Sequence, residues 1–247
     1  MSRNFDLLQR VSREGQWRGD STPPPVSRTY EMRPVPDADV LSREELMKLV
    51  QLVFLLPRKE PRNVVVFSGA ASGTGCSTIC LGVAESLAAQ TEDPVCVVDS
   101  NLRYPSLHSC LGLENRRGLS EALSEGEPIR EYVQKLPAPN LWFLPSGLRC
   151  SPMAGAAGTG RLTARIAELR REFRYVVMDS PPVNVYSDAI PLGQGADGVI
   201  LVVAANSTRR EVARRAKECF QGAGAQLLGV VLNNRTYPIP QAVYDRL

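Results

Sequence analysis

The chain of 247 residues is long enough for one domain with a tail, and its 43% hydrophobic content can supply a substantial core. A formal net charge of +3 is too weak a bias to predict binding to nucleic acid. The single histidine, His108, argues against a histidine-based metal site or a serine-type triad. The six cysteines contain no CxxC pair and no signal peptide is recognisable, which predicts reduced thiols in the cytoplasm. No apolar run approaches the roughly 18–20 residues that a membrane-spanning helix needs.

The N-terminal part of the chain divides into a tail and a helix. Residues 1–40 lack hydrophobic periodicity and contain three consecutive prolines, which predicts a flexible tail. Ser42 followed by Glu45 matches a capping box at the start of a helix. Apolar residues then recur at helical spacing as far as Pro57, namely Leu46, Leu49, Val50, Val53 and Phe54. We therefore predict an amphipathic helix over residues 41–57, of a type suited to oligomerisation.

Residues 58–236 alternate short apolar runs with helical stretches. The apolar runs are mostly β-branched and show no in-out alternation, as expected for strands buried on both faces. They cover residues 64–67, 95–98, 141–144, 175–178, 199–203 and 227–232. Helices are predicted near residues 77–90, 119–125, 161–172, 187–194 and 207–221. This alternation predicts an α/β fold, with a mostly parallel sheet that carries helices on both faces. Residues 237–247 are left as a short C-terminal tail.

A glycine-rich loop joins the first predicted strand to the helix that follows, with the sequence SGAASGTGCST over residues 68–78. A phosphate-binding loop needs glycines that let backbone N–H groups point inward, and a helix N-terminus that adds positive potential. It also needs a hydroxyl for Mg²⁺ and a lysine for the β- and γ-phosphates. The candidate nucleotide-binding residues are Gly73, Thr74, Gly75, Cys76, Ser77 and Thr78. A plain structural turn is the alternative interpretation.

The lysine position of this loop is occupied by Cys76, while Ser77 stands where the Mg²⁺ hydroxyl belongs. A thiol carries no positive charge, so we expect several kcal/mol of phosphate binding and transition-state stabilisation to be lost. A nucleophilic role for Cys76 is conceivable, because a helix N-terminus lowers the pKa of a thiol. No histidine lies nearby in the chain to act as a base, which disfavours that role.

Two predicted strands end in an aspartate, Asp99 after the second and Asp179 after the fourth. Carboxylates at the carboxyl ends of parallel strands lie on the ligand side of the sheet. Mg²⁺ is held in such sites by one or two carboxylates together with phosphates and waters. A lone strand-end aspartate is more often a helix cap, but two beside a phosphate loop indicate a metal site formed by Ser77, Asp99 and Asp179.

Together these segments resemble the cytoplasmic kinase domains of bacterial tyrosine kinases of capsule and exopolysaccharide export, which are similar in turn to chromosome- and septum-positioning ATPases. The resemblance covers residues 42–236. It rests on residues 70–78, 98–108, 118–123, 144–147, 179–182, 187–189, 196–199 and 229–233. It implies a P-loop NTPase fold, with ATP and Mg²⁺ as cofactors and Asp99 and Asp179 as the catalytic Walker carboxylates. It also implies that Asn233 lies near the adenine.

The resemblance further implies a cytoplasmic protein held at the inner face of the plasma membrane by a partner. That partner would be a membrane polysaccharide co-polymerase, the chain-length regulator, and the protein could form a homo-oligomer. In the family a C-terminal tyrosine cluster is autophosphorylated. In this chain the phosphoacceptor candidates are reduced to Tyr237 and Tyr244.

The sequence departs from the family pattern at several functional positions. Cys76 replaces the phosphate-loop lysine, and Asn101 replaces the second aspartate of the motif that begins at Asp99. The family's Glu-x-x-Arg-x-x-Arg helix is present as Glu45, Lys48 and Gln51. These changes predict a catalytically weakened, regulatory pseudoenzyme. The alternatives are an active ATP-dependent tyrosine autokinase and, third, a positioning-type ATPase.

Overall fold

A mostly parallel sheet of seven strands organises the computed structural model, which describes residues 39–148 and 156–234. In chain order the strands are β1 (Val64–Gly69), β2 (Val95–Asp99), β3 (Gln134–Lys135), β4 (Leu141–Leu144), β5 (Tyr175–Ser180), β6 (Gly198–Ala204) and β7 (Leu227–Asn233). Across the sheet their order is β3-β4-β2-β5-β1-β6-β7. Only the short β3 runs antiparallel to its neighbour within this sheet. The predicted α/β fold with a mostly parallel sheet is confirmed.

Helices cover both faces of this sheet. In the described residues they are α1 (Asp39–Val50), α2 (Cys76–Gln90), α3 (Leu107–Leu111), α4 (Leu119–Ser124), α5 (Ala156–Glu172), α6 (Ala189–Gly195) and α7 (Arg210–Gly222). Successive side chains of β1 enter opposite cores: Val64 and Val66 join the cluster under α4–α7, whereas Val65 and Phe67 join the cluster under α1 and α2. Because both faces are buried, the strands needed continuous apolar runs, and this is the pattern from which they were predicted.

The first helix begins earlier than its sequence signals predicted. It starts at Asp39, so Ser42 lies inside the helix and the predicted cap at that residue is wrong. The last turn, Gln51–Leu55, widens into a π-helix, and the Leu56 N–H donates to the Gln51 carbonyl at 2.9 Å. Leu56 is extended because it precedes a proline.

Close packing fixes α1 against α2. Gly82 allows the approach, since a Cβ at this position would lie 2.9 Å from Leu46 Cδ1. Apart from residues 39 and 40, the predicted N-terminal tail lies outside the described residues, and so do residues 237–247. Among the helices that the structure describes, none combines the length and the apolar character needed to span a membrane.

Candidate nucleotide-binding site

The predicted phosphate loop connects β1 to α2 at the carboxyl edge of the sheet. Gly73 and Gly75 both have φ of +77°, a left-handed conformation that glycine adopts without strain. Gly75 immediately precedes α2 and has a second constraint, because a Cβ there would collide with Asn233 Nδ2. The loop is therefore shaped around two obligatory glycines and delivers the chain to a helix N-terminus, the arrangement that binds anionic groups.

Asn233, at the end of β7, contacts this loop from the side. Its Nδ2 donates a hydrogen bond to the Thr74 carbonyl at 2.9 Å. The resemblance places Asn233 near an adenine, and the structure brings its side chain against the phosphate loop. In this position Asn233 supports the loop backbone between the two glycines.

The two strand-end aspartates lie next to each other. Asp99 and Asp179 are register partners on the neighbouring parallel strands β2 and β5, and both are buried. Asp99 already has three partners: Oδ1 accepts from the N–H of Asn101 at 3.2 Å, and Oδ2 accepts from the N–H groups of Ser106 at 3.0 Å and Leu107 at 3.1 Å. Burial raises the pKa of Asp99 to about 6, and these hydrogen bonds oppose the rise. Asp99 thus fixes the loop after β2 and the start of α3.

Asp179 differs from Asp99 because neither of its buried oxygens has a hydrogen-bond partner among the described residues. Burial raises the pKa of this carboxyl to about 7, and the nearby Asp99 adds to the rise. The Ser77 hydroxyl and the Cys76 thiol lie close enough to lower that pKa, although neither makes a regular hydrogen bond to the carboxylate. An unsatisfied carboxylate beside a hydroxyl is a donor set that suits Mg²⁺, which takes few protein ligands and keeps several waters.

The described residues contain no group of three or more His, Cys, Asp or Glu side chains that could hold a metal ion by themselves.

The side chain at the lysine position is a neutral thiol. Burial, and then the charge of Asp179, raise the pKa of Cys76 well above its ordinary value. The expectation that the helix N-terminus lowers this pKa is wrong, because desolvation and the neighbouring carboxylate outweigh the helix. Cys76 therefore stays protonated, which argues against a nucleophilic role.

A cavity of about 600 Å³ lies over the loop, and none of the described residues that line it is a lysine or an arginine. Asn101 lines it, and its Oδ1 accepts from the Tyr104 N–H at 3.2 Å. Arg103 lies nearby, but its Nε is held by Asp188 at 2.6 Å and its guanidinium stacks 4.9 Å from the ring centre of Tyr186. The sequence predicted the part of this cavity that the phosphate loop lines. It missed the part lined by Tyr104 and Tyr186, which lie in the segments after β2 and β5.

The remaining predicted residues lie apart from this cavity or outside the described chain. Glu45 and Lys48 on α1 are exposed and line a separate groove against β7, and Gln51 is exposed at the start of the π-helical turn. Tyr237 and Tyr244, the predicted phosphoacceptors, lie outside the described residues.

The parallel sheet, the glycine loop before α2 and the paired strand-end aspartates define a protein with the P-loop NTPase fold. The family model described as "Cellulose biosynthesis protein BcsQ" matches residues 62–219. "Tyrosine-protein kinase YwqD" of Bacillus subtilis (strain 168) is 30% identical over 171 residues, which cover 69% of this chain and 72% of that protein. The chain belongs to the predicted family, the bacterial tyrosine kinases, and most of it also matches the BcsQ family model.

Two further similarities show how far the match extends. "Tyrosine-protein kinase ptk" of Acinetobacter johnsonii is 25% identical over 201 residues, which cover 81% of this chain but 27% of that protein. The crystal structure of "the chimerical protein CapA2B2" superposes with a TM-score of 0.71 at 26% identity, covering 78% of this chain and 85% of that one. The matched region is most of this chain, and it is a minor part of the Acinetobacter protein.

Proposed function

We propose that this protein is a regulatory pseudoenzyme of the tyrosine-kinase family, with a retained nucleotide cradle and weakened phosphoryl-transfer chemistry. The observation that carries the proposal is the 600 Å³ cavity over the phosphate loop, which no lysine or arginine among the described residues lines. Phosphoryl transfer depends on positioning and on cations that stabilise the charge of the transferring group. A phosphate loop without its cation binds phosphates less tightly and stabilises the transition state of phosphoryl transfer less.

The retained residues support binding of ATP with Mg²⁺. An electropositive site for phosphates is formed by the backbone N–H groups around Gly73 and Gly75 together with the N-terminus of α2. Ser77 and Asp179 are the residues that would hold Mg²⁺, which when bound supplies positive charge to the phosphate chain. Asp99 contributes less as a ligand, since both of its oxygens already accept N–H groups.

The acceptor side of the site is also weakened. A tyrosine hydroxyl that attacks a phosphate needs a carboxylate to accept its proton. Asn101, at the position of the family's second aspartate, is a neutral amide whose oxygen is already bound to the Tyr104 N–H. It cannot act as a base, and this supports a loss of kinase chemistry in addition to the loss of the cation.

The proposed partner is a membrane polysaccharide co-polymerase, and the proposed location is the cytoplasmic face of the membrane that carries it. Family membership supports this assignment. A homo-oligomer remains part of the proposal. Its subunit contact would be weaker, because two arginines of the family pattern are replaced by Lys48, exposed on α1, and Gln51, exposed in the π-helical turn.

Isothermal calorimetry with ATP, with and without Mg²⁺, tests the missing cation directly. We expect weak or undetectable binding by the wild type and at least about tenfold tighter binding by Cys76→Lys, since a phosphate-directed charge should recover more than about 1.4 kcal/mol. Cys219→Lys, on the exposed face of α7, introduces the same charge away from the site and should leave binding unchanged. Submicromolar ATP binding by the wild type would refute the proposal.

The alternative function is an active tyrosine autokinase, which the retained Ser77, Asp99 and Asp179 favour. Intact-mass spectrometry of the purified protein before and after incubation with ATP and Mg²⁺ separates the two functions. We expect no added phosphate on Tyr237 or Tyr244, and no recovery without both Cys76→Lys and Asn101→Asp. A phosphate added to the wild type and absent from Asp179→Ala would establish the autokinase instead.

A further inference from the structure

A second concave surface, which we call the α1–β7 groove, lies away from the nucleotide cavity. It encloses about 390 Å³, and its lining includes Leu49 of α1, Leu52 of the π-helical turn, and Val231 and Leu232 of β7. Leu52 is 57% exposed and Leu232 is 53% exposed, so two large apolar side chains face outward from this groove. Adjacent exposed apolar side chains of this kind mark a surface that binds a further segment or protein.

The described residues end beside this groove. β7 is the outermost strand on its side of the described sheet, and its last residue, Asn233, itself lines the groove. Asn234 follows with φ of +55°, a left-handed conformation typical of a turn. Residues 235–247 therefore leave the described domain at the rim of the groove, and at about 3.3 Å per residue they can extend roughly 40 Å.

The composition of residues 235–247 matches the groove. Their apolar members are Tyr237, Ile239, Ala242, Val243, Tyr244 and Leu247. Asp245 and Arg246 lie between Tyr244 and Leu247, and the groove carries the opposite pair of charges on Lys48 and Glu45. We propose that residues 235–247 dock in the α1–β7 groove of the same chain and that docking stabilises the phosphate loop.

Two residues connect the groove to the phosphate loop. Thr78, in the first turn of α2, lines both the groove and the nucleotide cavity. Asn233 lines the groove and holds the Thr74 carbonyl at 2.9 Å. A segment that covers Asn233 restricts this side chain, so the hydrogen bond to the loop opens less often. Release of residues 235–247 frees Asn233 and loosens the loop between Gly73 and Gly75.

Hydrogen–deuterium exchange of the full chain tests the docking without any nucleotide, so its outcome is independent of the proposed function. The test variant places two aspartates at apolar positions: Ile239→Asp and Val243→Asp. The matched control introduces the same charge at two polar positions of the segment: Thr236→Asp and Gln241→Asp. In the test variant we expect exchange about tenfold faster in peptides covering residues 45–52 and 228–234, and faster exchange over residues 70–76. The control should retain wild-type rates.

The central strands β1 and β5 serve as the internal standard, since unchanged exchange there shows that each variant is folded. Equal exchange of the groove peptides in wild type, test variant and control would overturn the docking. Wild-type protection that disappears on dilution would also overturn it, because a second copy of the chain would then be the occupant. Faster exchange of the groove with an unchanged phosphate loop would refute the connection through Asn233.

Discussion

The buried carboxyl of Asp179 makes the stability of the metal-free protein dependent on pH. Burial raises the pKa of this group from the usual 3.8 to about 7. Below about pH 4 the carboxyl is protonated in both the folded and the unfolded chain, and it has no differential effect. As the pH rises the unfolded chain loses the proton first, so folding becomes less favourable until the folded carboxyl also ionises near pH 7. Asp179→Asn removes this penalty.

The two pKa values set the size of the effect. The difference between 3.8 and about 7 corresponds to roughly 4 kcal/mol at high pH, as an upper limit. Relaxation and water entry reduce such burial penalties, and the new amide must also be accommodated, so we expect a gain of about 2 kcal/mol. For a domain of this size that gain raises the Tm by about 4–8 °C.

Thermal unfolding in the presence of a chelator provides the assay, at about pH 8 and again at about pH 4.5. Asp179→Asn should unfold at higher temperature than wild type near pH 8, and the difference should fall to about a quarter of that value near pH 4.5. Asp99→Asn is the contrasting variant: it should be destabilised, because an amide cannot accept all three N–H groups that Asp99 accepts. An Asp179→Asn protein that is no more stable than wild type near pH 8 would refute the reasoning.

Two further predictions concern the loop and the core. Gly73→Ala should lower the free energy of unfolding by about 1 kcal/mol, because the backbone is left-handed there although the added Cβ would meet nothing. Gly75→Ala should lower it by at least about 1 kcal/mol more, because the added Cβ would also collide with Asn233. Urea unfolding measures both changes, and equal losses would contradict the contact with Asn233. Arg165→Ala should cost about 3–5 kcal/mol by the same assay, since the buried guanidinium donates to three backbone carbonyls and to Glu168. Arg171→Ala, an exposed arginine on the same helix, should be nearly neutral.

The sheet could be predicted from the sequence because its strands are buried on both faces and need unbroken apolar runs. Two elements left no such signal. β3 has two residues and is defined by its antiparallel pairing with β4, a contact between separate parts of the chain. α3 has five residues, and its first N–H groups are held by Asp99 from the neighbouring β2. Short elements that depend on tertiary contacts have too little periodicity of their own to be recognised.

The site shows a similar division between local pattern and tertiary contact. Spacing alone located the loop glycines and both aspartates, because glycine and a strand-end carboxylate are local features. The different states of Asp99 and Asp179 depend on which backbone N–H groups reach them, and the sequence does not specify this. The aromatic wall formed by Tyr104 and Tyr186 was missed for the same reason, since the two residues come from different strand ends.

The neutral thiol at position 76 and the raised pKa of Asp179 are linked, because the two side chains are neighbours. A lysine at this position would put an ammonium beside the Asp179 carboxylate, whereas Cys76 leaves that carboxylate buried without a partner. The carboxyl responds by holding a proton up to about pH 7, so the site carries less unbalanced charge than its residues suggest. In the proposed function Asp179 would lose this proton on holding Mg²⁺, so metal affinity should rise with pH through that range. In the proposed function, the neutral side chain at position 76 therefore weakens nucleotide binding most at low pH, where Asp179 is also protonated.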